Sequence, residues 1–279
     1  MNVLIVGHGE RPDAALVARR AADWLSARGH RVLAESADIA SLGLEGVAVY
    51  DGGDLGLVLS IGGDGTMLRA VGVLGGRAVP VMGVNVGHLG YLAEVEPANL
   101  ESSIDRFLSD AAGIEERLVL EVTAHTAGGS RSWRALNEAS LEKLRAGQTV
   151  RLRLSIDDTQ FTTYQADGVI IATPTGSTAY AMSARGPVIS PGHRAILVTP
   201  LAPHMLFDRS LVLRPDETVD VEVVGSRGVG LTVDGSEVAT LEAGDRVTCA
   251  SSDRPALFVR LEPRRFHQTL KAKFGLADR

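Results

Sequence analysis

The feature that most constrains this chain is a change of hydrophobic period near Leu118. Before that point, short apolar runs alternate with stretches of helical spacing. Residues 3–6 are apolar and stop at Gly7, and residues 11–27 place Leu16, Ala21, Trp24 and Leu25 at helical intervals. Gly29 closes that helix. Residues 31–34 and 57–61 read as second and third strands, and the third runs through Gly62-Gly63 into a helix from Thr66. Residues 79–84 make a fourth strand. Strands alternating with helices call for a parallel, doubly wound sheet with its ligand site at the C-terminal strand ends.

From Leu118 onward the apolar positions fall at every second residue: Leu118, Leu120, Val122; Leu152, Leu154, Ile156; Val219, Val221, Val223. That spacing belongs to half-buried antiparallel strands. Asp157-Asp158 and Asp234-Gly235 lie between such runs as hairpin turns, the second being the stronger signal. The expected fold class is α/β, with an N-terminal doubly wound, Rossmann-like α/β domain over residues 1–115 and a β-rich, β-sandwich-like domain over 116–255. Residues 256–279, with a helix over 266–274 capped by Gly275, form a C-terminal segment expected to pack back on the first domain.

Composition narrows the function. Aromatic residues are 4% of the chain, so the core must be aliphatic. A net charge of −6 with interspersed signs leaves no basic stripe, and nucleic acid is not an expected partner. The single Cys249 cannot form an intrachain disulfide and reads as a small buried hydrophobe; no Cys/His cluster has zinc spacing. No stretch nears the ~20 apolar residues of a membrane span, and the N-terminus lacks the basic flank of a signal peptide. The expectation is a cytoplasmic protein with no membrane partner and no protein-bound metal.

Three segments carry chemistry. In Ile61-Gly62-Gly63-Asp64-Gly65-Thr66 a strand feeds a glycine turn and then a helix whose first amides are unpaired, an end that binds anions. Glycine lets backbone approach phosphate, although the same residues also serve purely conformational ends at such junctions. There is no P-loop lysine, and in Gly7-His8-Gly9 the residue Pro12 stands where a dinucleotide fingerprint needs its third glycine, so that segment reads as a plain turn. The second segment is Asp167 to Tyr180, a buried strand ending in a loop with four hydroxyls, Thr173, Thr175, Ser177 and Thr178, more than capping alone requires. The third, Asn137-Glu138, places an amide beside a carboxylate, a pair suited to an adenine edge or a ribose diol.

Gly62-Gly63-Asp64-Gly65-Thr66, Asn85-Val86-Gly87-His88-Leu89-Gly90-Tyr91-Leu92, Asn137-Glu138 and Asp167 to Tyr180 occur in this order in bacterial NAD kinases, and Pro200-Leu201-Ala202-Pro203-His204 and Asp234-Gly235 also resemble segments of that family, so the chain resembles it over nearly its whole length. The Gly-Gly-Asp-Gly turn alone is shared with diacylglycerol and sphingosine kinases and with phosphofructokinases, whereas Thr173-Pro174-Thr175-Gly176-Ser177-Thr178-Ala179-Tyr180 is characteristic of NAD kinases. The resemblance implies transfer of a phosphoryl group from ATP, with polyphosphate as the alternative donor, to the 2′-hydroxyl of the adenosine ribose of NAD. It implies Asp64 as the group that accepts the hydroxyl proton, with Gly65 and Arg69 in the same nucleotide site and Gly62, Gly63, Gly65 and Thr66 around phosphate. It further implies NAD contacts from Asn137, Glu138, Gln165, Asp167, Thr178, Ala179, Tyr180, Ala181, Met182, Ser183 and Ser236, and a site between the two domains. Mg²⁺ or another divalent cation would accompany ATP, and the assembly would be a homodimer or homotetramer. Two positions depart from the pattern: Ala166, where some relatives carry Cys or Gly, and Arg185, where many have Gly before Gly186. His88 and His204 receive no role. The competing readings are a lipid or sugar kinase sharing the glycine turn, and a non-catalytic NAD(P)-binding sensor.

Overall fold

The computed structural model describes residues 1–87, 90–262 and 266–276. The chain divides into two compact units, residues 1–116 with 256–279, and residues 117–255.

The first unit opens with strand β1 (Asn2–Gly7), helix α1 (Pro12–Ala27), β2 (Arg31–Ala34), α2 (Ser36–Leu42), the short β3 (Ala48–Val49), β4 (Leu57–Gly62), α3 (Asp64–Leu74), β5 (Pro80–Asn85), α4 (Leu100–Leu108) and β6 (Gly113–Arg117). Helix α1 starts with Pro12 in its first turn, where a missing N–H costs nothing. Its buried stripe is Ala14, Val17, Ala18, Ala21, Ala22 and Leu25. Leu16, taken from the sequence as part of that stripe, is 64% exposed because it sits a full 100° round the helix from Val17. Trp24 is half-buried, with the Arg28 guanidinium 3.7 Å above its ring. Helix α3 begins at Asp64, two residues before the expected Thr66, with Gly63 as its N-cap. Helix α2 was not anticipated: it buries only Asp38 and Leu42, so no apolar stripe announces it.

The sheet order is β3-β2-β1-β4-β5, then the late strand Ala256–Arg260, then β6. The pairs β1–β2, β1–β4, β2–β3 and β4–β5 are parallel, and Leu257 and Phe258 pair in parallel with Pro80 and Val81. The chain leaves β1 in one direction along the sheet and returns at β4 in the other, so the C-terminal ends of these neighbours form a topological switch point, where open α/β sheets bind ligands. Gly7 lies opposite Ile61 there.

The second unit continues with β7 (Leu120–Thr126), β8 (Gly129–Ala135), β9 (Glu138–Lys143), β10 (Val150–Ile156), β11 (Thr159–Ala166), β12 (Gly168–Ala172), the single turn α5 (Tyr180–Ser183), β13 (Ile196–Leu201), β14 (Leu211–Leu213), β15 (Val219–Val223), β16 (Val229–Val233), β17 (Ser236–Leu241) and β18 (Arg246–Ser251). Two antiparallel sheets, β11-β10-β15-β18-β7-β8 and β14-β13-β12-β9-β16-β17, enclose one aliphatic core. The alternating residues Leu120, Val122, Leu152, Leu154, Val219 and Val221 of one sheet share it with Leu141, Val169, Ile171, Val198 and Leu231 of the other. Strands β12 and β13 are buried on both faces, because a second small cluster, Ile170, Ala172, Ala181, Leu197 and Leu201, covers their outer side. Cys249 is buried on β18.

The late strand Ala256–Arg260 is β19, and Phe266–Phe274 is α6, ended by Gly275 at φ 59°. Phe266 packs 6.4 Å from the Tyr91 ring within the first unit. No described helix is long and apolar enough to cross a membrane.

Both expected hairpin turns have left-handed central residues: Asp157 and Asp158 at φ 47° and 61°, Asp234 and Gly235 at φ 45° and 80°. This geometry favours Asp-Gly, so Asp158→Gly is expected to stabilise the protein by ~0.5–1 kcal/mol, since a non-glycine residue is strained there, and to raise the thermal midpoint by about 1–3 °C. A lowered midpoint would show that the Asp158 side chain contributes more than its backbone strain.

Candidate active site

At the switch point of the first unit, β4 ends in the glycine turn and α3 begins. The glycines there have different causes. A Cβ on Gly62 would lie 2.2 Å from Thr66 Oγ1, so packing alone demands glycine. A Cβ on Gly63 or Gly65 would meet nothing within 4 Å, and Gly63 has φ −106°, open to any residue. Neither crowding nor backbone strain requires glycine at these two positions, and both line a cavity of about 760 Å³. Bare backbone facing open space at a helix N-terminus suits an anion.

Asp64 is half-buried in the first turn of α3. Its Oδ2 accepts the Tyr91 N–H at 2.8 Å and its Oδ1 accepts the Leu92 N–H at 2.9 Å. Gly90 lets this segment close on the carboxylate, for a Cβ there would stand 2.2 Å from Oδ1. A carboxylate has about four lone-pair sites, so the clamp fixes the group and leaves acceptor capacity for a substrate hydroxyl. His88 and Leu89 lie outside the described residues.

Arg69 lines the same cavity as Gly65 and Thr66. Its guanidinium is held by the Gly7 carbonyl and by Asp38 Oδ1 at 2.7 Å. Asp38 is 2% exposed. The segment Gly7-His8-Gly9, read from the sequence as a plain turn, is a wall of the cavity together with Glu10 and Arg11. Its turn geometry is real, with the Arg11 N–H bonded to the His8 carbonyl, but the sequence comparison with a dinucleotide fingerprint could not show that a second glycine turn would face the first.

In the second unit Asn137 and Glu138 lead into β9, and the hairpin between β16 and β17 organises them. The Asp234 carboxylate accepts the N–H groups of Leu136 at 2.8 Å, Asn137 at 2.8 Å and Glu138 at 3.1 Å. Burial pushes the Asp234 carboxyl up, and these three amides oppose the shift. Glu138 is pushed up to about 7, first by burial and then by the charge of Asp234, while a hydrogen bond from the Tyr180 amide works in the other direction. Gly176 lies against this loop, since a Cβ there would be 2.1 Å from the Asn137 carbonyl oxygen.

Tyr180 donates its hydroxyl to Glu142 Oε2 at 2.8 Å and is pushed up to about 12 by burial, by that hydrogen bond and by the charges of Glu142, Asp167 and Glu138. Asp167 pairs with Lys143 Nζ at 2.7 Å. Ser236 directly follows the Asp234-Gly235 turn, and Gln165 is exposed near the end of β11, its carbonyl accepting the His204 N–H at 2.7 Å. Glu142 and Lys143 carried no motif in the sequence; only the pairing of β9 with β12, Glu142 opposite Gly168, brings them to Asp167. The cluster is rich in acceptors, so it suits sugar hydroxyls and amino groups, whereas the cavity of the first unit suits phosphate.

The four loop hydroxyls act differently from the sequence argument. Thr173 donates to the Leu136 carbonyl, Ser177 donates to the Pro174 carbonyl, Thr175 accepts from Arg117, and Thr178 donates to the Thr175 carbonyl at 3.2 Å. The first three are buried. Their number reflects the internal bonding of an irregular loop; Thr178, Ala179, Tyr180, Met182 and Ser183 of the stretch 178–183 reach the surface, and Ala181 is buried. Arg185 has φ 63°, a left-handed conformation that glycine adopts without strain.

Residues 3–112 match the model of the ATP-NAD kinase N-terminal domain, and residues 136–261 that of the ATP-NAD kinase C-terminal domain. The chain belongs to the NAD kinase family. An NAD kinase of Symbiobacterium thermophilum is 38% identical over 276 residues, covering 97% of this chain and 98% of the relative. One from Thermobifida fusca is 36% identical over 292 residues, covering 99% and 89%. Yeast NADH kinase in complex with NADH shares the fold at a TM-score of 0.92, with 24% identity over 100% of this chain and 89% of that one. An NAD kinase from Archaeoglobus fulgidus in complex with ATP has a TM-score of 0.71 at 22% identity, covering 98% and 96%.

Because the folded-state value of Glu138 lies above its ordinary 4.5, the native state favours the neutral acid. Its penalty on stability is absent below pH 4.5, grows as pH rises and is complete above about 7. The thermal midpoint of Glu138→Gln minus that of the unsubstituted protein should therefore increase through this window and level off above it. A difference independent of pH would contradict the burial of a charge at this position.

Proposed function

We propose that the protein transfers a phosphoryl group from ATP to the 2′-hydroxyl of the adenosine ribose of NAD, forming NADP, with Asp64 as the base. The observation that carries this reading is the clamp on Asp64: a carboxylate held by the Tyr91 and Leu92 amides, on the residue between Gly63 and Gly65, the two bare glycines that line the cavity. In phosphoryl transfer the transition state is loose and charge gathers on the phosphate oxygens, so the protein mainly positions the reactants and supplies complementary charge. A weak base is sufficient, because the hydroxyl loses its proton late.

The donor phosphates lie against Gly62, Gly63, Gly65 and Thr66, with Arg69 nearby. Mg²⁺, or another divalent cation, enters with ATP as part of the donor; such an ion keeps several waters and binds phosphate oxygens, and it asks for no protein cage. Among the described residues there is no cluster of three metal-ligating side chains. NAD is held by Asn137, Glu138, Gln165, Asp167, residues 178–183 and Ser236, which offer acceptors to ribose hydroxyls and the adenine amino group, with Tyr180 against a base. The protein acts in the cytoplasm as a homodimer or homotetramer, as the family resemblance implies. Matches to the NAD kinase domains over residues 3–112 and 136–261 weigh against a lipid or sugar kinase.

A coupled assay for NADP from NAD, ATP and Mg²⁺ tests the reaction; binding without turnover would leave the sensor. Asp64→Asn should lower kcat roughly 100-fold or more, in line with general-base catalysis, while NAD affinity changes little. Near-normal turnover of that variant removes Asp64 from the mechanism.

A further inference from the structure

The cavity of the first unit contains two arginines in different electrostatic surroundings. Arg69 is compensated, with Asp38 at 2.7 Å and Glu35 at 4.0 Å. Among the described residues, no carboxylate forms an ion pair with Arg11. Its guanidinium instead lies on backbone: Nη1 donates to the Val86 carbonyl and rests against Gly87, where a Cβ would fall 1.9 Å from Nη1. Gly87 also has φ 125°, so that position needs glycine for space and for conformation.

An arginine carries five N–H donors in a rigid fork, and Val86 takes one. With no carboxylate against it, the guanidinium keeps its charge and its remaining donors for an anion. The anchoring also fixes where that charge sits. Val86, which holds Arg11, bonds through its own N–H to the Gly62 carbonyl at 3.0 Å, so Arg11 is tied to the glycine turn whose bare backbone faces the same space. Arg11 and Gly63 are N-caps of α1 and α3, and neither helix start has a side-chain cap. The uncapped start of α3 and a pre-positioned guanidinium thus line one cavity at the switch point.

We propose that Arg11, more than Arg69, is the principal cation for the donor's triphosphate, which it binds through the N–H groups that Val86 leaves free. This rests on the donor occupying the cavity, as in the reading above. The charge that Arg69 presents is already balanced by Asp38, and its role is to fix the wall that contains Gly7.

The test compares Arg11→Gln, which keeps a donor for Val86 but removes the charge, with Arg11→Lys, which keeps the charge but loses the fork. KM for ATP is measured at saturating NAD, KM for NAD at saturating ATP, and the Kd for ATP by calorimetry without NAD. Arg11→Gln should raise both ATP constants by about 10-fold or more, the size expected for losing a charge-assisted hydrogen bond, and leave KM for NAD within about twofold. Arg11→Lys should lose less. A fall in kcat with the ATP constants unchanged would show that Arg11 only braces the Val86 segment and would overturn the proposal, as would an equal or larger loss in Arg11→Lys. If the unsubstituted protein makes no NADP, the kinase reading fails, and calorimetry with ATP still decides the role of Arg11.

Discussion

The first unit depends on one interaction, the grip of two backbone amides on the Asp64 carboxylate. Three separate constraints serve it. Gly62 lets α3 start hard against the end of β4, Gly90 lets the Tyr91 segment close on the carboxylate, and β5 delivers that segment to the same end of the sheet as β4. A flexible aspartate at a helix start would cap its own helix; this one is directed instead to a neighbouring segment, whose two amides leave some of its lone pairs unused.

The second unit uses a carboxylate in the opposite sense. Asp234 is half-buried and accepts three amides, so it holds the Asn137-Glu138 loop and has little capacity left for a ligand. Its charge also helps burial to push the Glu138 carboxyl up to about 7. The two units thereby separate the chemistry. Bare glycine backbone and arginines line the cavity of the first and suit phosphate, and the acceptor groups of the second suit hydroxyls and amines.

Much of this was legible in the sequence, because periodicity and turn chemistry are local. The period-two runs at Leu152 and Val219 became the sandwich, and Asp234-Gly235 became a hairpin, since each signal acts over a few residues. The resemblance supplied the family, and the glycine turn supplied the position of Asp64. Less was legible where function arises from chain segments distant in sequence. Asp234 looked like a turn residue and is also the anchor of Leu136 to Glu138, about a hundred residues earlier. Arg11 and Asp38 carried no motif at all; they reach the cavity only because β1 and β4 are neighbours. The four hydroxyls of the Thr173 loop misled for the converse reason: counting polar groups cannot tell which of them bond to the loop itself.

The most direct measurement is a crystal structure with NAD and a non-hydrolysable ATP analogue bound together. An Asp64 carboxylate oxygen should lie within hydrogen-bond reach, ~2.6–3.2 Å, of the adenosine 2′-oxygen, with the analogue's terminal phosphate over Gly63 and Gly65. If that 2′-oxygen instead lies far from Asp64 while both nucleotides are bound, the carboxylate is not the base and its clamp is only structural.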